Sequence, residues 1–299
     1  MLDRLFRWFL PLLLLTLQVQ WVHAQQDRAL RIVAIGAHPD DADIRFGGTA
    51  ALFAQMGHHV KFVSITNGDA GHYDEGGGML AARRMAEARE AGRRLGIDEY
   101  VVLDNHDAEL MPNLHIRHQL IREIRKWNAD VVLSHRPNDY HPDHRYAGTL
   151  VMDAAFLVIV PNVTPDTPAL ESNPLFLYYQ DRFTNPSPFR PDIAVDISET
   201  FDTKIEGLAA HESQFFEWLA WLDGRLDEVP EGETERIEWL KGVRAQPVNG
   251  AVRESLGRWY GEEHAARVNH AEAFEIAEYG YQPSPEDIRR LFPMLNRKP

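Results

Sequence analysis

The amino-acid sequence predicts an α/β fold in which a mainly parallel β-sheet carries helices on both of its faces. Short apolar runs rich in β-branched residues alternate with longer segments of helical periodicity over much of the chain. This alternation is typical of parallel sheets covered by helices. The predicted strands are also apolar on both faces, as expected when helices cover both sides of a sheet.

The elements follow one another in a regular order. Strands are predicted at residues 31–35, 60–66, 100–103, 131–134, 175–179 and 193–197. Helices are predicted around residues 49–56, 79–95 and 116–127, from Pro142 onward, and from Ser198 to about residue 222. The pattern loosens after residue 160, and the part from about residue 230 is expected to be helical. Residues 25–299 are therefore predicted to form one domain.

The first 24 residues have the pattern of a secretory signal peptide. Arg4 and Arg7 precede an apolar run at 8–17, and Val22 and Ala24 provide small residues before a cleavage site. The run is short for a membrane span, although an uncleaved N-terminal anchor is the alternative. We expect an exported protein, periplasmic or secreted, with no stable membrane span in its mature form.

Composition narrows the classes of partner and of metal site. The formal net charge is −14, so nucleic acid and anionic membrane surfaces would repel the chain and are excluded as partners. The acidic surface also predicts a preference for neutral or amine-bearing substrates. The chain has no cysteine, which excludes disulfides and thiolate ligands. Any metal is therefore held by histidines and carboxylates.

Two short motifs follow predicted strands. Residues 38–41 read His-Pro-Asp-Asp after the first strand, and residues 141–144 read His-Pro-Asp-His at the start of a helix after the fourth. Ligands gather at the carboxyl ends of parallel strands. His38 and Asp41 are spaced to face one ion, and His144 can complete the set. Either motif alone is compatible with an ordinary turn or helix start, but the pair favours a metal site.

The chemistry of these residues fits amide hydrolysis. Zinc takes imidazole and carboxylate ligands, and its catalytic sites commonly use three protein ligands, although other divalent ions accept the same donors. The motifs leave one carboxylate, Asp40, to take a proton and one imidazole, His141, to stabilise or protonate a tetrahedral species.

Over roughly residues 31–210 the chain resembles the PIG-L (LmbE-like) metal-dependent deacetylases. Their paired signatures, Ala-His-Pro-Asp-Asp and His-Pro-Asp-His, stand here at Ala37–Asp41 and His141–His144. The resemblance implies a Rossmann-like fold and hydrolysis of an N-acetylglucosamine-type amide. It implies zinc ligands at His38, Asp41 and His144, a general base at Asp40, and an acid or oxyanion stabiliser at His141 that is oriented by Asp143.

The resemblance also implies substrate-binding residues. Arg84 has the place of a substrate-contacting arginine, although a solvated helix face is the alternative for its segment. Asp107 stands in Asp-Ala-Glu-Leu, where the family has Asp-Gly-x-Leu, and Asn67 and Asp69 belong to a loop at the end of the second strand.

The resulting hypothesis is a zinc-dependent hydrolase that removes the acetyl group from an N-acetylated amino sugar or glycoconjugate. One alternative is a zinc amidase that acts on another acyl or conjugate amide. The other is a non-catalytic, metal-bound glycan-binding protein. The expected partner is a small carbohydrate or glycoconjugate, and the sequence does not define an oligomeric state.

Overall fold

The computed structural model of the chain describes residues 28–245 and 247–297. The predicted signal peptide lies outside these residues. Within them, seven strands form one sheet: β1 (Arg31–Gly36), β2 (His59–Ser64), β3 (Glu99–Val102), β4 (Val131–Ser134), β5 (Leu175–Tyr179), β6 (Ile193–Asp196) and β7 (Ala271–Gly280).

The helices surround this sheet. The first five are α1 (Asp41–Gln55), α2 (Gly77–Leu95), α3 (Leu114–Trp127), α4 (Pro142–Leu157) and α5 (Phe201–Ala209). A π-helix (Ser213–Trp218) then leads into α6 (Leu219–Leu222), which is followed by α7 (Glu233–Arg244), α8 (Gly250–Tyr260), α9 (Glu262–Ala265) and α10 (Pro285–Leu291). Short 3₁₀ turns occupy Leu226–Glu228 and Pro293–Asn296. No helix of the described residues is long and apolar enough to cross a membrane.

The sheet has the strand order β3-β2-β1-β4-β5-β7-β6. Strands β1 to β5 are parallel to one another, whereas β7 runs antiparallel to both β5 and β6. The predicted α/β fold with a mainly parallel sheet is confirmed. The strand order reverses direction between β1 and β4, and this switch point is where open α/β sheets form ligand crevices.

Successive side chains of the inner strands point to opposite faces of the sheet, and each face carries a buried apolar core. Val33 and Ile35 of β1 pack in a buried cluster with residues of α3 and α4. On the other face, Phe46 of α1 lies 6.2 Å from Phe62 and 5.6 Å from Phe274 between ring centroids. Because both faces bury apolar residues, the strands read as nearly continuous apolar runs.

Two elements differ from the sequence expectation. Helix α1 begins at Asp41 rather than near residue 49, so the first motif lies at its N-terminus. The expected helical C-terminal portion contains β7, a strand inserted between β5 and β6. Its acidic residues resemble the solvated face of a helix, but Glu272 is buried and lies 2.7 Å from the ammonium of Lys204. This ion pair compensates the burial of its charge.

Candidate active site

Both motifs lie at the switch point of the sheet. Residues 38–41 connect β1 to α1, and residues 135–141 connect β4 to α4, so both motifs are at the carboxyl ends of adjacent strands. Pro142 occupies the first turn of α4, where its missing N–H costs no hydrogen bond. His141 precedes it, and its side chain accepts a hydrogen bond from the backbone N–H of Asp143.

Two glycines allow the helices to return closely on the strands. A Cβ at Gly36 would lie 2.6 Å from the Cβ of Asp41. In α4, a Cβ at Gly148 would lie 2.6 Å from the carbonyl oxygen of His135. Both separations are shorter than side chains tolerate. The absence of a side chain at these positions therefore lets α1 begin close to the end of β1 and lets α4 pack on the end of β4.

The structure brings together the three expected metal ligands. Nδ1 of His38 lies 3.4 Å from Oδ2 of Asp41 and 3.2 Å from Nε2 of His144. Nε2 of His144 lies 3.2 Å from Oδ1 of Asp41. Ligands of a tetrahedral zinc ion with bonds of about 2.0–2.1 Å are about 3.3–3.4 Å apart. The two imidazole nitrogens therefore have a separation close to that of neighbouring ligands of one ion, and Asp41 places a different carboxylate oxygen near each of them.

The outer nitrogens of both imidazoles face carboxylates. Nε2 of His38 lies 3.0 Å from Oδ1 of Asp107, and Nδ1 of His144 lies 3.0 Å from Oδ1 of Asp139. A carboxylate at the outer nitrogen keeps the proton there and turns the inner lone pair toward the metal position. Two such lone pairs only 3.2 Å apart repel each other unless a cation lies between them. The donor set therefore fits a divalent cation.

The electrostatics of the cluster agree with this conclusion. Burial lowers the pKa of His38, but the carboxylates of Asp107, Asp143 and Asp41 outweigh burial and raise this pKa well above its ordinary value. Burial also lowers the pKa of His144, but the nearby carboxylates, mainly Asp41, outweigh burial and raise the pKa of His144 to about 9. The surroundings of both rings therefore favour a positive charge.

Asp40 and His141 flank the ligands with different properties. Asp40 is 4% exposed, and burial together with the charge of Asp41 raises the pKa of its carboxyl. A raised pKa suits a general base. Nδ1 of His141 accepts the backbone N–H of Asp143 at 3.2 Å, so the ring proton is on Nε2. Burial lowers the pKa of His141, and its neutral ring is therefore a hydrogen-bond donor through Nε2.

Two of the expected substrate residues border this cluster. Arg84 is 3% exposed and donates to the carbonyl of Gly71 and to the side chain of Gln214, so it does not belong to a solvated helix face. A Cβ at Gly71 would lie 2.8 Å from Nη1 of Arg84 and 3.0 Å from Oδ2 of Asp107. Arg84 and Asp107 thus approach the same point of the loop.

The other two expected substrate residues are engaged within the protein. The side chain of Asn67 donates to Asp104 at 3.0 Å and accepts the backbone N–H of Asp69 at 3.1 Å. The carboxylate of Asp69 accepts from the backbone of Asp107 at 3.0 Å and lies 2.7 Å from Nδ1 of His106. Both side chains therefore hold the loops that carry Asp107.

Asp143 differs from its expected position. Its carboxylate lies 3.4 Å from Nε2 of His38 and accepts the backbone N–H of Ala108 at 2.8 Å. It was expected to orient His141, but only its backbone N–H contacts that ring. The cause is the loop after β3, which brings a backbone donor to the carboxylate.

Three residues of the site have no place in either motif. His135 stacks on His144 with a centroid distance of 4.2 Å, and its Nε2 lies 3.2 Å from Oδ2 of Asp41. Asp139 contacts His144, and the buried His211 lies 3.3 Å from Asp43. Two features of the sequence could have indicated the first two residues: His135 directly follows β4, and Asp139 is an acidic residue of the same loop. Nothing in the sequence around His211 indicated its position.

Comparison with known proteins identifies the family. The PIG-L profile, described as GlcNAc-PI de-N-acetylase, matches residues 33–155, which contain both motifs. Diacetylchitobiose deacetylase of Thermococcus kodakarensis is 31% identical over 230 residues, covering 73% of this chain and 83% of that protein. The chain belongs to the PIG-L family.

Further comparisons extend this relationship. The probable N-acetyl-alpha-D-glucosaminyl L-malate deacetylase 2 of Bacillus anthracis is 27% identical to this PIG-L protein, covering 70% of it and 91% of the relative. The structure of N,N'-diacetylchitobiose deacetylase from Pyrococcus horikoshii, complexed with its inhibitor MPG, superposes with a TM-score of 0.63 and 26% identity. That match covers 83% of this chain and 84% of the other. The predicted family and the predicted hydrolase of linear amide C–N bonds are confirmed.

Proposed function

We propose that this PIG-L protein removes the acetyl group from an N-acetylglucosamine-type amino sugar with a zinc ion held by His38, Asp41 and His144. The observation that supports the metal site most directly is the 3.2 Å separation of the inner nitrogens of His38 and His144, with a carboxylate oxygen of Asp41 within 3.2–3.4 Å of each. The relationship to diacetylchitobiose deacetylase supports the class of substrate.

The flanking residues suit the proton transfers of amide hydrolysis. When bound, the ion would acidify a water molecule toward a pKa of about 7 and polarise the amide carbonyl. Asp40 accepts the proton of the attacking water and delivers it to the amine nitrogen as the C–N bond breaks. Nε2–H of His141 donates to the carbonyl oxygen as negative charge develops on it.

The residues that border the metal-ligand cluster are suited to bind a sugar. Arg84 and Asp107 provide a guanidinium and a carboxylate within one loop region, and groups of this kind hydrogen-bond to sugar hydroxyls. Both side chains are held by the protein, which limits their loss of conformational freedom when substrate binds.

The test is the release of acetate and of free amine by the zinc-loaded protein. Diacetylchitobiose and N-acetylglucosamine serve as substrates, and N-acetylated amino acids serve as the comparison. We expect equimolar acetate and amine from the sugars. Release from the amino acids alone would support the amidase alternative. Calorimetric binding of diacetylchitobiose without any acetate release would support the glycan-binding alternative.

A further inference from the structure

Three arginines line a cleft beside the candidate active site. Arg45 and Arg182 border a cavity of about 420 Å³ together with Tyr140. Arg45 also borders an adjoining cavity of about 100 Å³ together with Arg244. Among residues 28–245 and 247–297, none of these three guanidiniums has an ion pair or a hydrogen bond. Arg244 instead stacks over the ring of Phe215 at 4.8 Å.

The cleft adjoins the metal ligands. Arg45 follows Asp41 by four residues on α1, which corresponds to about 6 Å along the helix axis. The ring of Tyr140 lies 5.5 Å from that of His144 and 5.7 Å from that of His141. Tyr140 therefore forms a wall shared by the cleft and the site. A group bound near Arg45 would be about one sugar unit away from the metal ligands.

The charge of this cleft is opposite to the charge of the whole chain. The two carboxylates that line it are paired with other cations, since Asp181 lies 3.0 Å from Arg136 and Glu272 lies 2.7 Å from Lys204. Asp40 and Asp223 act on Arg244 through their charge, without forming an ion pair with it. The formal net charge of the chain is −14, so carboxylates are abundant as partners for arginine. Guanidiniums left without a partner in a concave, partly buried place are suited to bind a carboxylate or a phosphate.

We propose that this cleft binds an anionic group, a carboxylate or a phosphate, on the unit attached to the N-acetylated sugar. The proposal rests on the proposed deacetylase function and names the class of substrate as an acidic glycoconjugate. It replaces the expectation of neutral or amine-bearing substrates, because the local charge of the cleft acts at a shorter distance than the net charge of the surface.

The experiment compares disaccharides that differ in one substituent. Each carries N-acetylglucosamine as the reactive unit, and its second sugar bears a carboxylate, the corresponding carboxamide, a phosphate monoester or no added group, as in diacetylchitobiose. Charge-assisted hydrogen bonds predict that kcat/KM of the wild-type protein is about 10- to 100-fold higher for an ionised disaccharide than for its neutral counterparts. The ratio of kcat/KM between each ionised disaccharide and its neutral counterpart then identifies whether the carboxylate or the phosphate is preferred.

The variants test whether the arginines cause this ratio. In Arg45→Gln/Arg182→Gln the ratio is expected to fall at least about 10-fold. Arg89→Gln is the control, because Arg89 is an exposed arginine of α2 that borders neither cavity, and its loss removes a positive charge elsewhere on the surface. A wild-type ratio near one, an unchanged ratio in the double variant, or an equal fall in Arg89→Gln would overturn the proposal.

A binding measurement separates this proposal from the proposed function. Calorimetry measures how the zinc-loaded wild-type and double-variant proteins bind the deacetylated products of the ionised and the neutral disaccharides. Because the ligands are products, the measurement needs no turnover. Arginine-dependent binding without acetate release from any substrate would support the anion subsite and contradict the deacetylase function. Turnover of diacetylchitobiose together with equal binding of ionised and neutral products would support the deacetylase function and contradict the anion subsite.

Discussion

The carboxylate of Asp139 lies 3.0 Å from Nδ1 of His144, on the side of the ring opposite to Asp41. The same oxygen accepts the backbone N–H of His141 at 3.1 Å. Burial raises the pKa of Asp139, but its contacts with His144 outweigh burial, and the pKa is lowered. An ionised Asp139 therefore orients His144 and the start of the second motif together.

We predict that Asp139→Asn weakens zinc binding without abolishing it. Loss of a carboxylate behind a metal-bound histidine typically lowers metal affinity about 10- to 100-fold. Chelator competition measures the zinc affinity of the variant, and Asp153→Asn, a more exposed acid of α4, is the control. Equal affinities of Asp139→Asn and the wild type would show that Asp139 does not position His144.

Much of the fold was predictable because its signals are local. Strands such as β1 and β4 are short apolar runs, and the two motifs directly follow them. The contact of Asp143 was not predictable, because a backbone N–H of the loop after β3 determines where its carboxylate lies. The same holds for His211, whose partner Asp43 is distant in sequence and becomes a neighbour only when α1 packs against the following helices. Strand β7 was missed because one of its acids, Glu272, is paired inside the fold rather than solvated.

Gly148→Ala should destabilise the protein, because the new Cβ would lie 2.6 Å from the carbonyl oxygen of His135 and 2.9 Å from the backbone of Arg136. Overpacking of this kind typically costs about 1–3 kcal/mol. Gly242→Ala is the matched control, because its Cβ meets nothing within 4 Å in α7, and it should stabilise the helix by about 0.5–1 kcal/mol. Urea unfolding measures both changes, and a stable Gly148→Ala would contradict the close approach of α4 to the end of β4.

The ion pair between Lys61 and Glu123 should make stability depend on pH. Lys61 is buried, and its Nζ lies 2.6 Å from Oε2 of Glu123. Burial opposes ionisation of Glu123, but Lys61 outweighs burial and lowers its pKa. A lowered pKa in the folded state stabilises the protein above the unfolded pKa of about 4.3, and this contribution is lost as the pH falls through the folded value.

Glu123→Gln should therefore lower the free energy of unfolding at pH 7 by on the order of 2 kcal/mol, since Glu99 remains 3.0 Å from Lys61. The difference from the wild type should narrow as the pH falls below about 4. Urea unfolding at pH 7, 5 and 3.5 measures it, with Glu231→Gln at an exposed position as the control. A difference that is the same at all three pH values would exclude this ion pair as its source.

Export is predicted from the N-terminal pattern of Arg4, Arg7 and the apolar run at 8–17. When the full chain is expressed with a functioning secretion system, the exported protein should begin near Gln25. N-terminal sequencing and intact mass determine the cleavage point, and Ala24→Asp should block cleavage. Exported protein that still begins at Met1 would instead indicate an N-terminal anchor.

Asp40 and His144 should differ in what they contribute, because Nε2 of His144 lies 3.2 Å from the donor atoms of both His38 and Asp41, and Asp40 is not one of these ligands. Asp40→Asn keeps these ligands, so its zinc content should stay near one equivalent. Its activity should fall by about 10²–10⁴, the usual cost of losing a general base. His144→Ala should lose zinc and activity together, with partial recovery in excess zinc.

Metal analysis, thermal unfolding and kcat measured on the same samples separate this division of roles from a general loss of structure. If both variants act through folding, their melting temperatures should fall in parallel with activity. Asp40→Asn is expected to melt near the wild-type temperature in the presence of zinc, because it retains the bound ion that stabilises the folded state. Loss of zinc from Asp40→Asn as complete as that from His144→Ala would make Asp40 a ligand rather than a base, since a residue that only transfers a proton has no reason to change the metal content.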